Sequence, residues 1–150
     1  MDFIMEPMPT LPERIVAWIR DNGGDHALLL ITVDGQLRPH VMMLARDEVV
    51  VVSASRLRLA LGEASRSAEN LRERTVGTLA IYDADLACVI KTRVRSGPAL
   101  IMPGVTAFEL DIDEIRFDAP SASEGGARLV TGLRFEGRKG REGLQSLLAR

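Results

Sequence analysis

The segment "HALLLITVDGQLRPHVMMLA" (26–45) constrains the fold more than any other part of the chain. Two β-rich apolar runs stand either side of "DGQL", and Asp34-Gly35 is a strong hairpin signal. So short a connection joins antiparallel neighbours, because a parallel pair needs a crossover of a dozen residues or more. The pattern recurs downstream. "RDE" (46–48) leads tightly into "VVVVSAS" (49–55), and "TVGTLAIYD" meets "LACVIKTRVRSG" around Ala84-Asp85.

Side-chain alternation assigns faces to these strands. Leu86, Cys88, Ile90, Thr92 and Val94 fall on one side, with Lys91, Arg93 and Arg95 on the other. In "AFELDIDEIRF", Phe108, Leu110 and Ile112 oppose Glu109, Asp111 and Asp113. The phase slips at Asp113-Glu114, which predicts a bulge or bend there. Facing stripes of opposite sign pair locally and fix register, the alternative being a substrate-binding role for the basic stripe. Four consecutive valines, by contrast, do not alternate. They predict a strand covered on both faces, either central in a closed barrel or lying at a subunit interface.

Helices flank the strands. "TLPERIVAWIRDNGG" carries Thr10 as a cap, Glu13 to complete a capping box, Pro12 in the first turn and Gly23-Gly24 as a stop. Its Leu11, Ile15, Trp18 and Ile19 share one face, suited to docking on a sheet rather than to stacking a ligand. A helical segment covers 64–74. "RLVTGLRF" (128–135) reads as a further strand, and "REGLQSLLAR" (141–150) as a terminal helix with Leu144, Leu147 and Leu148 together. "PSASEGG" (120–126) is a polar linker too short to divide domains. The expectation is a mainly β, α+β chain: one domain over 1–150, with a helix at about 10–22, an antiparallel barrel at about 26–118, and a strand and helix at about 128–150.

Composition narrows the function. A chain of 150 residues buries roughly 70% of its unfolded surface, enough for a core without staples. No apolar run approaches the roughly 20 residues that span a bilayer. A single cysteine, Cys88, favours a reducing compartment, and "MDFIMEPMPT" lacks the basic region of a secretory signal. A formal charge of -2 argues against a dedicated nucleic-acid binder. A cytoplasmic globular protein is expected, with neither nucleic acid nor membrane as partner.

No phosphate-binding glycine motif and no paired Cys or His at metal spacing is present, so no metal is expected. His26 and His40 lie on separate predicted strands and read as structural. Cys88 sits on an apolar strand face, where a thiol is inert. "RKGR" (138–141) reads as a solvated basic loop. "SRSAENLRER" (65–74) supports two readings. It can be an amphipathic helix with Ala64, Ala68 and Leu71 buried, Arg66, Asn70 and Arg74 on a second face, and arginines paired to Glu69 and Glu73. Equally, Ser65, Arg66 and Ser67 can hold an anion at the helix start, where unpaired amides point outward, with Ser53 and Ser55 as further donors.

The order of these elements is similar to one family. A "DGQLRPHV" hairpin, an apolar strand ending in Ser-x-Ser, a helix carrying "SRSAENLRE" and then "TVGTLAIYD" resemble the flavin-binding split barrels typified by pyridoxamine 5'-phosphate oxidase. The likeness covers roughly residues 26–97. It implies a six-stranded antiparallel Greek-key split barrel with peripheral helices, a homodimer, and FMN at the dimer interface. Carried over, Arg38, His40, Val41, Met42, Met43 and Leu44 border the flavin, and Ser53, Ala54, Ser55, Arg66 and Ser67 lie at its phosphate. Asn70 orients the helix. Many relatives have Ser-Arg-Lys where this chain has "SRS", which removes a cation at Ser67. The Arg-x-His substrate motif of the oxidase itself has no C-terminal counterpart, so vitamin B6 oxidation does not carry over. The implied activity is a flavin-dependent oxidoreductase with no assigned acid or base; the alternatives are a carrier of flavin, haem or deazaflavin, or a cofactor-free dimeric barrel.

Overall fold

A computed structural model describes residues 9–21, 25–118 and 125–150. Seven strands form one antiparallel sheet: β1 (Ala27–Val33), β2 (Pro39–Ala45), β3 (Val49–Ser53), β4 (Arg56–Gly62), β5 (Val76–Asp83), β6 (Leu86–Met102) and β7 (Val105–Phe117). Their order across the sheet is β2-β1-β5-β6-β7-β4-β3. Inward side chains from all seven strands meet in a single core, from Leu44 of β2 to Val51 of β3, so the sheet curls on itself. Helix α1 (Glu13–Arg20) adds Ile15 and Ile19 to that core, and α2 (Arg66–Arg74) adds Ala68 and Leu71. The expected alternation along β6 and β7 is present: Leu86, Cys88, Ile90, Thr92, Phe108, Leu110 and Ile112 are buried. Lys91 pairs with Glu114 and Thr92 with Ile112, leaving Asp113 as the bulged residue.

The strand count exceeds the implied six because "RLRLALG" is a strand of its own, β4, between the valines and α2. Its signal is in the sequence: Leu57, Leu59 and Leu61 are buried and alternate with Arg56 and Arg58. The valine strand β3 therefore ends the sheet order instead of sitting at its centre. Val49 and Val51 face the core, Val50 packs against a satellite cluster with Leu144 and Leu148, and Val52 is exposed. Two other expectations fail. Pro12, not Thr10, is the N-cap of α1, with no side-chain cap bond. Residues 128–135 form no strand: His26, just before β1, makes one isolated antiparallel bridge with Arg134, the Ala27 amide donates to the Leu133 carbonyl, and the Asp85 amide of the β5–β6 turn donates to the Leu129 carbonyl. Gly132 passes so close to the Tyr82 carbonyl that no side chain fits there. The terminal helix is short, α3 (Leu144–Leu148). Gly23, Gly24 and most of the polar linker lie outside the described residues. Among the described residues no helix is long and apolar enough to cross a membrane.

Candidate functional site

Strand β4 hands over to α2 through a tight turn in which the Ser65 amide donates to the Gly62 carbonyl, 3.0 Å. Ser65 is the N-cap: its backbone is extended and its Oγ accepts from the Ala68 amide at 3.1 Å. That contact uses one acceptor lone pair of the Ser65 hydroxyl, so its O–H can still donate, and the earlier amides of the helix stay available, as they do at any helix start. Arg66 follows as the first helical residue. Its exposed guanidinium has no hydrogen-bond or ion-pair partner among the described residues, and neither Glu69 nor Glu73 takes it.

Arg66 opens on a cleft of about 450 Å³ between α2 and the β1–β2 hairpin. From α2 come Arg66, Glu69, Asn70, Glu73 and Arg74; from the hairpin come Asp34 and His40. Asp34 holds the turn, its Oδ1 accepting from the amides of Arg38 (2.9 Å) and Gln36 (2.8 Å). Those two bonds, Arg38 first, keep its carboxyl below the usual aspartate range. Leu37, at φ 62°, is the left-handed residue of this turn; Gly35 serves instead for close approach, since a Cβ there would lie 3.1 Å from Arg74 Nη2. Beneath the cleft the buried Asn70 donates from Nδ2 to Thr32 Oγ1 at 3.0 Å and fixes α2 to β1. This is the orienting role expected of Asn70.

Strand β2 divides its residues between two faces. His40 and Met42 are half-buried on the side of the core, and Leu44 is fully buried. Val41 and Met43 point outward and are each 54% exposed. Opposite them on β1 stand Ile31 and Leu29, and beyond those Thr78 and Ala80 of β5. The outer face of β2 and β1 is thus an apolar strip of Val41, Met43, Ile31 and Leu29. Arg38, exposed, precedes it.

Two groups of expected ligands are separated. Ser53, Ala54 and Ser55 form the β3–β4 turn, closed by the Ser55 amide on Ser53 Oγ at 3.3 Å and seated against α1 by the Leu11 amide on the Ala54 carbonyl, 2.6 Å. Arg66 lies past the other end of β4, roughly 20 Å away at about 3.3 Å per residue. Within one chain a single anion cannot touch both. Ser67 is turned inward, 1% exposed, with an Oγ that has no hydrogen-bond partner. The sequence pattern undervalued Asp34 and Gly35, whose hairpin forms the facing wall of the cleft.

The remaining candidates are structural. His26 sits between Asp25 (3.0 Å) and Asp83 (3.4 Å) and edge-on to Trp18, whose Nε1 donates to Asp83 at 2.9 Å. Burial pushes the Cys88 thiol up to about 11, so it carries no thiolate near neutrality. The facing stripes pair as expected: Lys91 with Glu114, Arg93 with Asp113, and Arg95 with Asp111. Arg138 of the "RKGR" loop is not solvated; it pairs with Asp47 at 2.9 Å and with Glu48 at 3.6 Å. Among the described residues no cluster of His, Cys, Asp or Glu could hold a metal.

Comparison with known proteins bears on the architecture. No protein-family model and no curated protein matches the sequence. Solved structures do match its fold. A pyridoxamine 5'-phosphate oxidase-like protein from Lactobacillus delbrueckii superposes with a TM-score of 0.60 at 18% identity, covering 73% of this chain and 96% of that one. The fold is the split barrel of pyridoxamine 5'-phosphate oxidase-like proteins. An FMN-binding protein from Syntrophomonas wolfei shares this split barrel (TM-score 0.57, 14% identity, 73% and 86% coverage). So does HutZ, the haem storage protein of Vibrio cholerae (0.52, 13%, 72% and 94%). Proteins of this fold thus differ in ligand, FMN in one and haem in another, and the fold alone does not choose between them.

Proposed function

We propose that the protein binds FMN as a homodimer and acts as a flavin-dependent oxidoreductase. Arg66 takes the phosphate beside the leftover amides at the start of α2, and the outer strip of Val41, Met43, Ile31 and Leu29 carries the isoalloxazine. A second copy laid on that strip buries the ring. The observation that carries the reading is the unpaired Arg66 guanidinium over an open cleft, in a molecule whose strand arginines are paired with acids. The donor set suits the group: a cation and helix amides for a phosphate, apolar strand surface for a planar ring. Bound flavin would supply the electron transfer, and the chain supplies binding, orientation and exclusion of water. Its likeness to flavin-binding split barrels supports this choice; HutZ keeps haem as the competing ligand.

The absorption spectrum of the purified protein, with mass analysis of whatever denaturation releases, tests the ligand. Flavin reduced by NADH or NADPH supports the enzyme, and flavin that stays oxidised with both supports a carrier. Haem, or a colourless preparation that refuses added FMN, overturns the reading. Arg66→Ala is expected to weaken FMN binding by about 1–3 kcal/mol, read by titration. Unchanged affinity in a folded variant removes Arg66 from the site. Light scattering at micromolar concentration tests the dimer, and a stable monomer refutes it.

A further inference from the structure

The cleft at α2 holds more negative than positive side chains: the carboxylates of Asp34, Glu69 and Glu73 against the guanidinium groups of Arg66 and Arg74. Arg74 is engaged by the hairpin, its Nη2 packed over Gly35 and its charge acting on Asp34. Arg66 is the cation left for a ligand. Glu69 lies one helical turn beyond Arg66 and Glu73 two, at about 1.5 Å of rise per residue. A tail extending past a phosphate held at Arg66 and running along α2 therefore meets Glu69 and then Glu73. Glu69 has no hydrogen-bond or ion-pair partner among the described residues, and Glu73 meets Arg72 only at 3.9 Å.

We propose that Glu69 and Glu73, backed by Asp34, act as a charge screen that admits one anionic group at Arg66 and rejects ligands carrying a second. This rests on the flavin reading of the cleft and specifies its ligand class. FMN, with a single terminal phosphate, passes. FAD, whose diphosphate places a second charge beyond the first, is disfavoured. Repulsion between exposed like charges is modest and reaches about 8 Å at physiological salt, so the screen sets a preference rather than an absolute bar.

The test compares Kd values of FMN and FAD, read by flavin fluorescence, for the full chain and for Glu69→Gln/Glu73→Gln. Both changes keep side-chain shape, and Asp34 is left intact because it builds the turn. The natural protein is expected to prefer FMN, and the double variant to narrow the FMN-to-FAD ratio by about three- to tenfold. Raising salt should narrow the ratio in the natural protein and barely move it in the variant. A ratio unchanged by the double substitution overturns the screen, even where FMN is preferred, since the preference then comes from the bulk of FAD. Equal affinity for both ligands in the natural protein overturns it too. Failure to bind any flavin brings down the flavin reading itself, an outcome distinct from these because FMN would not bind at all.

Discussion

The outer face of β4, β6 and β7 and the cleft at α2 are built from the same residue types, arginine beside aspartate or glutamate, and they use them differently. On the sheet, Arg56 lies 3.1 Å from Asp111, Arg58 3.1 Å from Glu109, and Arg95 3.3 Å from Asp111. Strand register sets the β4 pairs, since Arg56 stands opposite Asp111 and Arg58 opposite Glu109, while Arg95 reaches Asp111 from the irregularity between Val94 and Ser96. Along α2, Glu69 and Asn70 stand three and four residues from Arg66, within reach, yet Arg66 has no partner among the described residues. A charge whose partner is fixed by register contributes to the fold. One left open at a helix start is free for a ligand.

The largest effect that sharpens this contrast comes from Arg58. Its Nη1 donates to the carbonyls of Leu148 (2.7 Å) and Arg150 (3.1 Å), and its Nη2 to Glu109 (3.1 Å), so one side chain ties β4 to β7 and to the end of α3. Arg58→Ala is expected to lower unfolding free energy by about 2–3 kcal/mol in urea titrations, because the partners are partly buried and lose a charged donor. Arg66→Ala is expected to move stability by less than about 0.5 kcal/mol. Comparable losses in the two variants would abolish the distinction between paired and open arginines.

Next comes the floor of the cleft. Asn70 and Thr32 are both buried, so Asn70→Ala leaves a hydroxyl without its donor and should cost about 1–2 kcal/mol. Adding Thr32→Val removes the orphaned group and should recover part of the loss. Strictly additive losses in that double-mutant cycle would show that the two side chains are not coupled, and the orienting role of Asn70 would fall.

Much of this was legible in the sequence, and the exceptions have physical causes. The 26–45 hairpin and the β6–β7 pair are readable because period-2 alternation and tight turns act locally. The slip between Ile112 and Ile115 located the bulge at Asp113 for the same reason. β4 went unread because it leads directly into the helix, although Leu57, Leu59 and Leu61 alternate. Without β4 the sequence sets Ser53 and Ser55 next to α2, whereas a whole strand separates them. The valine run lies at the end of the sheet order rather than its centre: Val49 and Val51 face the core, α3 partly covers Val50 through Leu144 and Leu148, and Val52 stays exposed. The 128–135 segment is held by scattered contacts, Arg128 on Asp85 and the Leu133 carbonyl on Ala27 among them, which no periodicity announces.

The smallest prediction concerns Ser67 and has the opposite sign. The resemblance places it among the phosphate ligands, but its hydroxyl is buried under α2 with no hydrogen-bond partner. A buried hydroxyl in that state has lost its water without gaining a bond, so its removal relieves a desolvation cost. Alanine also has the better helix propensity. Ser67→Ala is therefore expected to raise stability by up to about 1 kcal/mol and to leave FMN affinity within about twofold. Lost FMN affinity with stability unchanged would mean that the hydroxyl reaches the ligand, and Ser67 would rejoin Arg66 at the phosphate. Gained stability with affinity intact leaves Arg66 and the helix amides to hold the anion.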